Sequence, residues 1–202
     1  MSQNTLPSSE KDRIVLASID LEMSGTNKEI HGILQIGLWA TGENESILRG
    51  YYQSDCNPEI VGVEKKRREI QYNPSSMRIN KFTKDRIEKA PSIREALYGL
   101  IYELRRHKDA RIVLTGSGIT SDMEWLELAA KYEGLNLPKY EIVEIGDLCE
   151  TFFGKRMGLN RAAGMVGVKN IARHDALADA WCGAITGQRL GALIRERGGQ
   201  PW

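Results

Sequence analysis

The sequence predicts an α/β fold: one β-sheet of mixed direction flanked by α-helices. Three observations predict it. The first half carries three strand-like runs joined by polar, glycine-containing turns, as in hairpins. The second half alternates helix-period stretches with short apolar strands. The chain of 202 residues, 41% of them apolar, is long enough for one sizeable core.

The elements follow in order. Ile14–Asp20 opens with an unbroken apolar run, the pattern of a strand buried on both faces. Ile30–Ala40 and Ser46–Gln53 read as the next two strands. Residues Cys56–Lys81 are polar and irregular, carry the charge run Glu64–Glu69, and read as a loop with room for a short helix. Pro91–Arg106 predicts a helix. Pro91 suits its first turn, and Ile93, Ala96, Leu97, Leu100, Ile101 and Leu104 recur at helical spacing. Arg111–Thr115 is a short strand, turned by Gly116-Ser117-Gly118 into a helix over Ser121–Tyr132. Ser121 and Glu124 have the spacing of a capping box, and Gly134 stops that helix. Tyr140–Ile145 is a further strand, with a helix from Asp147. The last strong helix starts at His174 or Asp175 and runs to about Thr186, and a short one near Arg189–Glu196 follows. Residues 1–12 read as a flexible polar arm, 13–197 as a single domain and 198–202 as a polar tail.

Composition excludes several classes. A net charge of +1 rules out a strongly basic coat, so any polyanion site must be local. No apolar stretch has the length of a membrane span, so no membrane partner is expected. The N-terminus lacks a hydrophobic signal core, which argues against secretion. Cys56, Cys149 and Cys182 are odd in number and widely spaced. They suit free thiols in the cytoplasm or another reducing compartment.

The chemistry begins with Asp20 and Glu22. Side chains alternate along a strand, so these two carboxylates point the same way a few Å apart. Near a core they repel, and either one takes a proton or a cation sits between them. A hard divalent ion such as Mg²⁺ or Mn²⁺ is the simplest partner. Asp122 falls in the first turn of a helix, where an acid suits the helix dipole without any function. Asp179 lies within the apolar stripe of the last helix, where a carboxylate needs a counter-ion or a metal. Asp175 is one turn earlier on a similar bearing but is better placed as a cap. His174, five residues before Asp179, is a candidate general base. His31 and His107 lack such company. Trp125 has the spacing of a packing residue more than of a base-stacking one.

Together these residues resemble the DEDDh family of 3′–5′ exonucleases, which has ribonuclease H-like topology. Ile19-Asp20-Leu21-Glu22-Met23-Ser24-Gly25 is similar to that family's first motif, in wording most like oligoribonuclease. Ile33-Leu34-Gln35-Ile36-Gly37 resembles the second strand, with Gln35 where the family usually has Glu. Gly116-Ser117-Gly118-Ile119-Thr120-Ser121-Asp122 resembles the second motif. Here Gly118 and Ser121 replace a frequent Asn and Phe. His174-Asp175-Ala176-Leu177-Ala178-Asp179-Ala180 matches the third.

The resemblance implies a ribonuclease H-like mixed sheet flanked by helices, and two Mg²⁺ or Mn²⁺ ions held by Asp20, Glu22, Asp122 and Asp179. It implies His174 as the base. It also implies a nucleic acid with a free 3′ end as substrate, shortened to nucleoside 5′-monophosphates. The wording of Asp20–Gly25 leans toward RNA over DNA. Met23 and Ser24 are expected to border the terminal nucleotide, although a plain turn with a packed Met also fits them. Two competing readings are a ribonuclease H-like endonuclease and a nucleic-acid-binding module of the same fold whose catalysis has lapsed.

Overall fold

The computed structural model describes residues 14–42, 47–61, 66–67, 69–107 and 109–202. The strands are β1 (Ile14–Met23), β2 (Ile33–Thr41), β3 (Leu48–Asp55), β4 (Ile60–Val61), β5 (Lys66–Arg67), β6 (Arg111–Gly116) and β7 (Glu141–Glu144). Five of them form one sheet in the order β3-β2-β1-β6-β7. β1, β2 and β3 pair as an antiparallel meander, while β6 joins β1 and β7 joins β6 in parallel. The mixed direction expected from the sequence is present. β4 and β5 pair as a separate small hairpin.

The helices are α1 (Pro74–Ile79), α2 (Lys84–Lys89), α3 (Ile93–Arg105), α4 (Ile119–Tyr132), α5 (Ile145–Phe153), α6 (Leu159–Met165) and α7 (Ala176–Glu196). The pleat of β1 divides its side chains between two layers. Val15, Ala17, Ile19 and Leu21 enter the main core with Leu97 and Leu100 of α3 and Met123 and Leu126 of α4. The intervening Ser18, Asp20 and Glu22 face α7. That helix lies so close to the sheet that a Cβ on Gly183 would fall 2.4 Å from Ser18 Oγ, and one on Gly187 2.6 Å from Thr115 Cγ2. α5 and α6 pack on the outer side of α7 through Leu148, Cys149, Ala162, Leu190 and Ile194. Trp202, in the expected polar tail, is half-buried against this cluster, with the Arg195 guanidinium 4.8 Å from its ring centroid.

Several boundaries differ from the expectations. β2 starts at Ile33, not Ile30, because the chain at Ile30 and His31 turns back onto the Asn27 carbonyl. The segment 56–81 holds the β4–β5 hairpin and α1, whose N-cap Asn73 accepts from Ser75 N and Ser76 N. Pro91 precedes α3 instead of opening it. Ser92 is the N-cap, in a capping box with Glu95. The expected capping box at Ser121 does not form, since α4 begins at Ile119 with Gly118 as N-cap. The two C-terminal helices are one helix of 21 residues. Gly187, just past the expected end at Thr186, is buried at the contact with β6 and sustains close packing there.

The expected arm, residues 1–12, lies outside the described residues, as do positions 64, 65 and 68 of the charge run. Among the described residues no helix is long and apolar enough to cross a membrane. All three cysteines are buried and unpaired.

Candidate active site

β1 carries its two acids to the end of the central strand. Asp20 lies opposite Gly37 of β2 and Glu22 opposite Gln35, and the register then shifts between Glu22 and Met23. This irregularity ends the regular pairing where the chain leaves for the loop. Asp179 arrives from the first turn of α7. One oxygen each of Asp20, Glu22 and Asp179 lie within 4.8 Å of one another. Three carboxylates at that separation form an all-oxygen donor set, which fits a hard divalent cation such as Mg²⁺ or Mn²⁺.

Asp179 is oriented by its own loop. Its Oδ2 accepts a hydrogen bond from the His174 backbone N–H at 2.9 Å, and its other oxygen accepts from the Asn170 amide. Asp175 caps α7 by accepting from Ala178 N at 3.0 Å, which leaves Asp179 as the acid directed at the cluster. His174 lies just before α7, exposed, in the left-handed backbone region at φ 63°.

Asp122 is outside the three-acid cluster but within electrostatic reach of it. α4 starts directly after β6, and Gly118 there has φ 81°, a conformation that favours glycine. The helix is capped from a neighbouring strand. Glu144, the last residue of β7, accepts from Gly118 N at 2.9 Å, Thr120 N at 3.0 Å and Thr120 Oγ1 at 2.7 Å. Glu124, expected to cap this helix, pairs instead with Lys28.

The crowding shows in the proton affinities. Burial, then Asp122, Asp179, Glu22 and Asp175, hold the Asp20 carboxyl well above its ordinary value. Burial, then Asp179 and Asp175, raise Glu22 to about 7. Burial, then Glu144 and Glu22, raise Asp122 to about 8. Each of these acids gains proton affinity from its surroundings, and a bound divalent ion reverses that preference.

The two residues expected beside a terminal nucleotide differ. Met23 is half-buried on the main core, with its carbonyl accepting from Asn80 Nδ2 at 3.0 Å. Ser24 is fully buried. Its hydroxyl donates to the Gln71 carbonyl at 2.9 Å and accepts from Gly32 N at 3.0 Å. Its backbone N–H and carbonyl are bonded to Gly32 O and Asn73 N. Ser24 therefore fastens the loop after β1. Trp125 is buried in the main core, as its spacing suggests. His31 packs under the same loop, where a Cβ on Gly25 would fall 2.3 Å from its ring. Sequence reasoning missed Asn170 and Glu144. Asn170 lies close to His174 in sequence and was open to notice, whereas nothing local marks Glu144.

The exonuclease family model named RNase_T matches residues 17–182, a span that contains all four acids and His174. The chain belongs to the exonuclease family. Solved structures of similar fold agree with that membership. The nuclease domain of 3′hExo, a DEDDh family member bound to rAMP, is 15% identical with TM-score 0.68 over 98% of each chain. A 3′-exonuclease solved in 3′-end-specific recognition of a histone mRNA stem-loop is 16% identical with TM-score 0.65, over 94% of this chain and 85% of that one. Exonuclease I of E. coli, in complex with a dT13 oligonucleotide, is 12% identical with TM-score 0.72. It covers 91% of this exonuclease-family chain, which spans only 42% of its length. No curated protein sequence matches the chain. The five-stranded mixed sheet with its flanking helices is the ribonuclease H-like fold of these exonucleases.

Proposed function

We propose that this nuclease is a metal-dependent 3′–5′ exonuclease of the DEDDh type. It removes nucleoside 5′-monophosphates from the 3′ end of a nucleic acid, RNA in preference to DNA. The observation that carries the reading is the convergence of Asp20, Glu22 and Asp179 at the end of β1, with Asp122 in electrostatic reach and His174 at the adjoining helix mouth. The similar folds bound to rAMP and to a dT13 oligonucleotide support a nucleic-acid substrate.

In this mechanism Asp20, Glu22, Asp122 and Asp179 hold two divalent ions, Mg²⁺ or Mn²⁺. Bound there, such ions supply charge stabilisation for the attacking and departing oxygens of the phosphodiester. The chain does the rest. His174, exposed just before α7, takes the proton of the attacking water. The hydrogen bond from His174 N to Asp179 ties the base to a cage acid, so both are placed by one turn of backbone. Met23 borders the terminal nucleotide at the loop after β1.

The test is to incubate the full chain and Mn²⁺ with 5′-labelled single- and double-stranded RNA and DNA. The expected result is a ladder that shortens from the 3′ end, with mononucleotides as products. Internal fragments would favour an endonuclease and overturn the proposal, as would an inert wild type. His174→Ala is expected to lower kcat by about 10²–10⁴-fold, the usual worth of a general base, while oligonucleotide binding persists.

A further inference from the structure

We infer that Gln35, Asp55 and Arg86 form a positioning relay that fixes the first turn of α7, and with it His174 and Asp179, against the acid pair of β1. The relay rests on the exonuclease reading for its purpose, but its geometry stands independently. Glu22, Gln35 and Asp55 are direct cross-strand neighbours on β1, β2 and β3. Asp20, Gly37 and Gln53 form the next row. Opposed residues on paired strands project to the same side, so both rows face α7.

Each row ties down the mouth of that helix. Gln35 is only 3% exposed. Its Oε1 accepts from the Ala176 backbone N–H at 2.9 Å, and its Nε2 donates to Asp55 Oδ1 at 2.9 Å. Ala176 is the first residue of α7, so its N–H has no partner within the helix. Burying that donor unpaired is costly, and Gln35 removes the penalty. Asp55 is held in turn by a bidentate pair from Arg86, Nε to Oδ2 at 2.7 Å and Nη2 to Oδ1 at 2.7 Å. The Arg86 guanidinium also lies 3.8 Å from the Phe82 ring centroid. In the second row Gln53 Nε2 donates to Asp175 Oδ2 at 3.0 Å. Gly37 leaves no gap, since a Cβ there would fall 2.2 Å from the Ala176 carbonyl carbon.

The amide at Gln35 is what this arrangement requires. The group must accept from Ala176 and donate to Asp55 at once, and an ionised carboxylate only accepts. A glutamate here would place three like charges in one row with Glu22 and Asp55. None of the three residues touches reacting atoms through the contacts described, so they are positioning residues. Their influence passes through Ala176 to Asp179, whose backbone N–H bonds the Asp175 carbonyl at 2.9 Å.

The test compares the full wild-type chain with Gln35→Glu, Gln35→Glu combined with Asp55→Asn, and Arg86→Gln. Amide hydrogen exchange at Ala176 is measured together with kcat and KM on a labelled oligonucleotide. For Gln35→Glu we expect faster exchange at Ala176 and a kcat lowered about tenfold to a hundredfold, the scale of a slightly misplaced catalytic group, with KM nearly unchanged. Adding Asp55→Asn should restore both readouts in part, because the new amide donates the bond that Gln35 donated while it keeps only one of the two bonds from Arg86. If Gln35→Glu fails to fold, the half-buried Arg86→Gln carries the test, with faster Ala176 exchange and a smaller loss of kcat. Unchanged exchange and kcat in an active background would overturn the relay. So would a double variant no better than the single one. An inert wild type would instead sink the exonuclease reading, with exchange at Ala176 still deciding on the relay.

Discussion

Asp20 shows how one side chain is defined by its neighbours. Four other acids, Asp122, Asp179, Glu22 and Asp175, raise its proton affinity beyond what burial does alone. Removing its charge without removing its shape should relieve that repulsion. Asp20→Asn is expected to raise the melting temperature of the metal-free protein at pH 8. The variant should also lose its response to Mn²⁺. A variant that melts earlier than wild type at pH 8 would mean that the acids are not in repulsive contact. Asp20, Glu22 and Asp179 were legible in the sequence because each lies within a short patterned stretch: an apolar strand for the first two, a helical stripe for the third. Gln35, Asp55 and Arg86 were not legible as a unit. Gln35 reaches Asp55 across 20 positions and Ala176 across 141, and pairing at that separation leaves no local trace.

At the level of elements, α7 sets the geometry of the site. Its first turn rests on the β2 backbone at Gly37, and its middle rests on Ser18 and Thr115 through Gly183 and Gly187. The one-residue change Gly37→Ala forces these backbones apart. It is expected to destabilise the fold by about 1–3 kcal/mol, as overpacking does, and to weaken Mn²⁺ binding. Chemical denaturation compares it with Gly158→Ala, a site where a Cβ meets nothing within 4 Å. Equal midpoints for the two variants would refute the close contact. The same helix explains where sequence patterning misled. The helix was expected to end near Thr186, yet it runs on through Gly187, where tertiary packing outweighs the low helix propensity of glycine. Likewise Ser121 and Glu124 have capping spacing, but Glu144 from β7 already holds the start of α4. The short helices α1, α2 and α6 have six or seven residues each, too few for a period to stand out.

For the whole molecule, the raised carboxyls link stability to pH. Glu22 near 7 and Asp122 near 8 lie above their unfolded values of about 4. Between these limits the folded chain binds more protons than the unfolded one. The contribution to stability is thus full at acid pH and lost as pH rises through about 7–8. The metal-free protein should therefore melt lower at pH 8 than at pH 5.5, and added Mn²⁺ should raise the melting temperature more at pH 8. A Mn²⁺ shift that is equal at both pH values, or larger at 5.5, would contradict a site built on these acids. The mixed sheet and its covered central strand followed from element order and apolar patterning, which are properties of long segments and survive local misreadings, whereas the strand order β3-β2-β1-β6-β7 rests on long-range pairing that the sequence left open. A different kind of access comes from the buried thiols. Cys56 follows the relay residue Asp55, Cys182 sits on α7 beyond Asp179, and Cys149 belongs to α5 in the outer layer. Burial pushes all three thiols up, Cys56 the furthest. A thiol-specific reagent can reach them only when the surrounding element opens. The chain thus carries three native labels whose modification rates would clock separately the breathing of the sheet edge, the helix that bears the site, and the layer behind it.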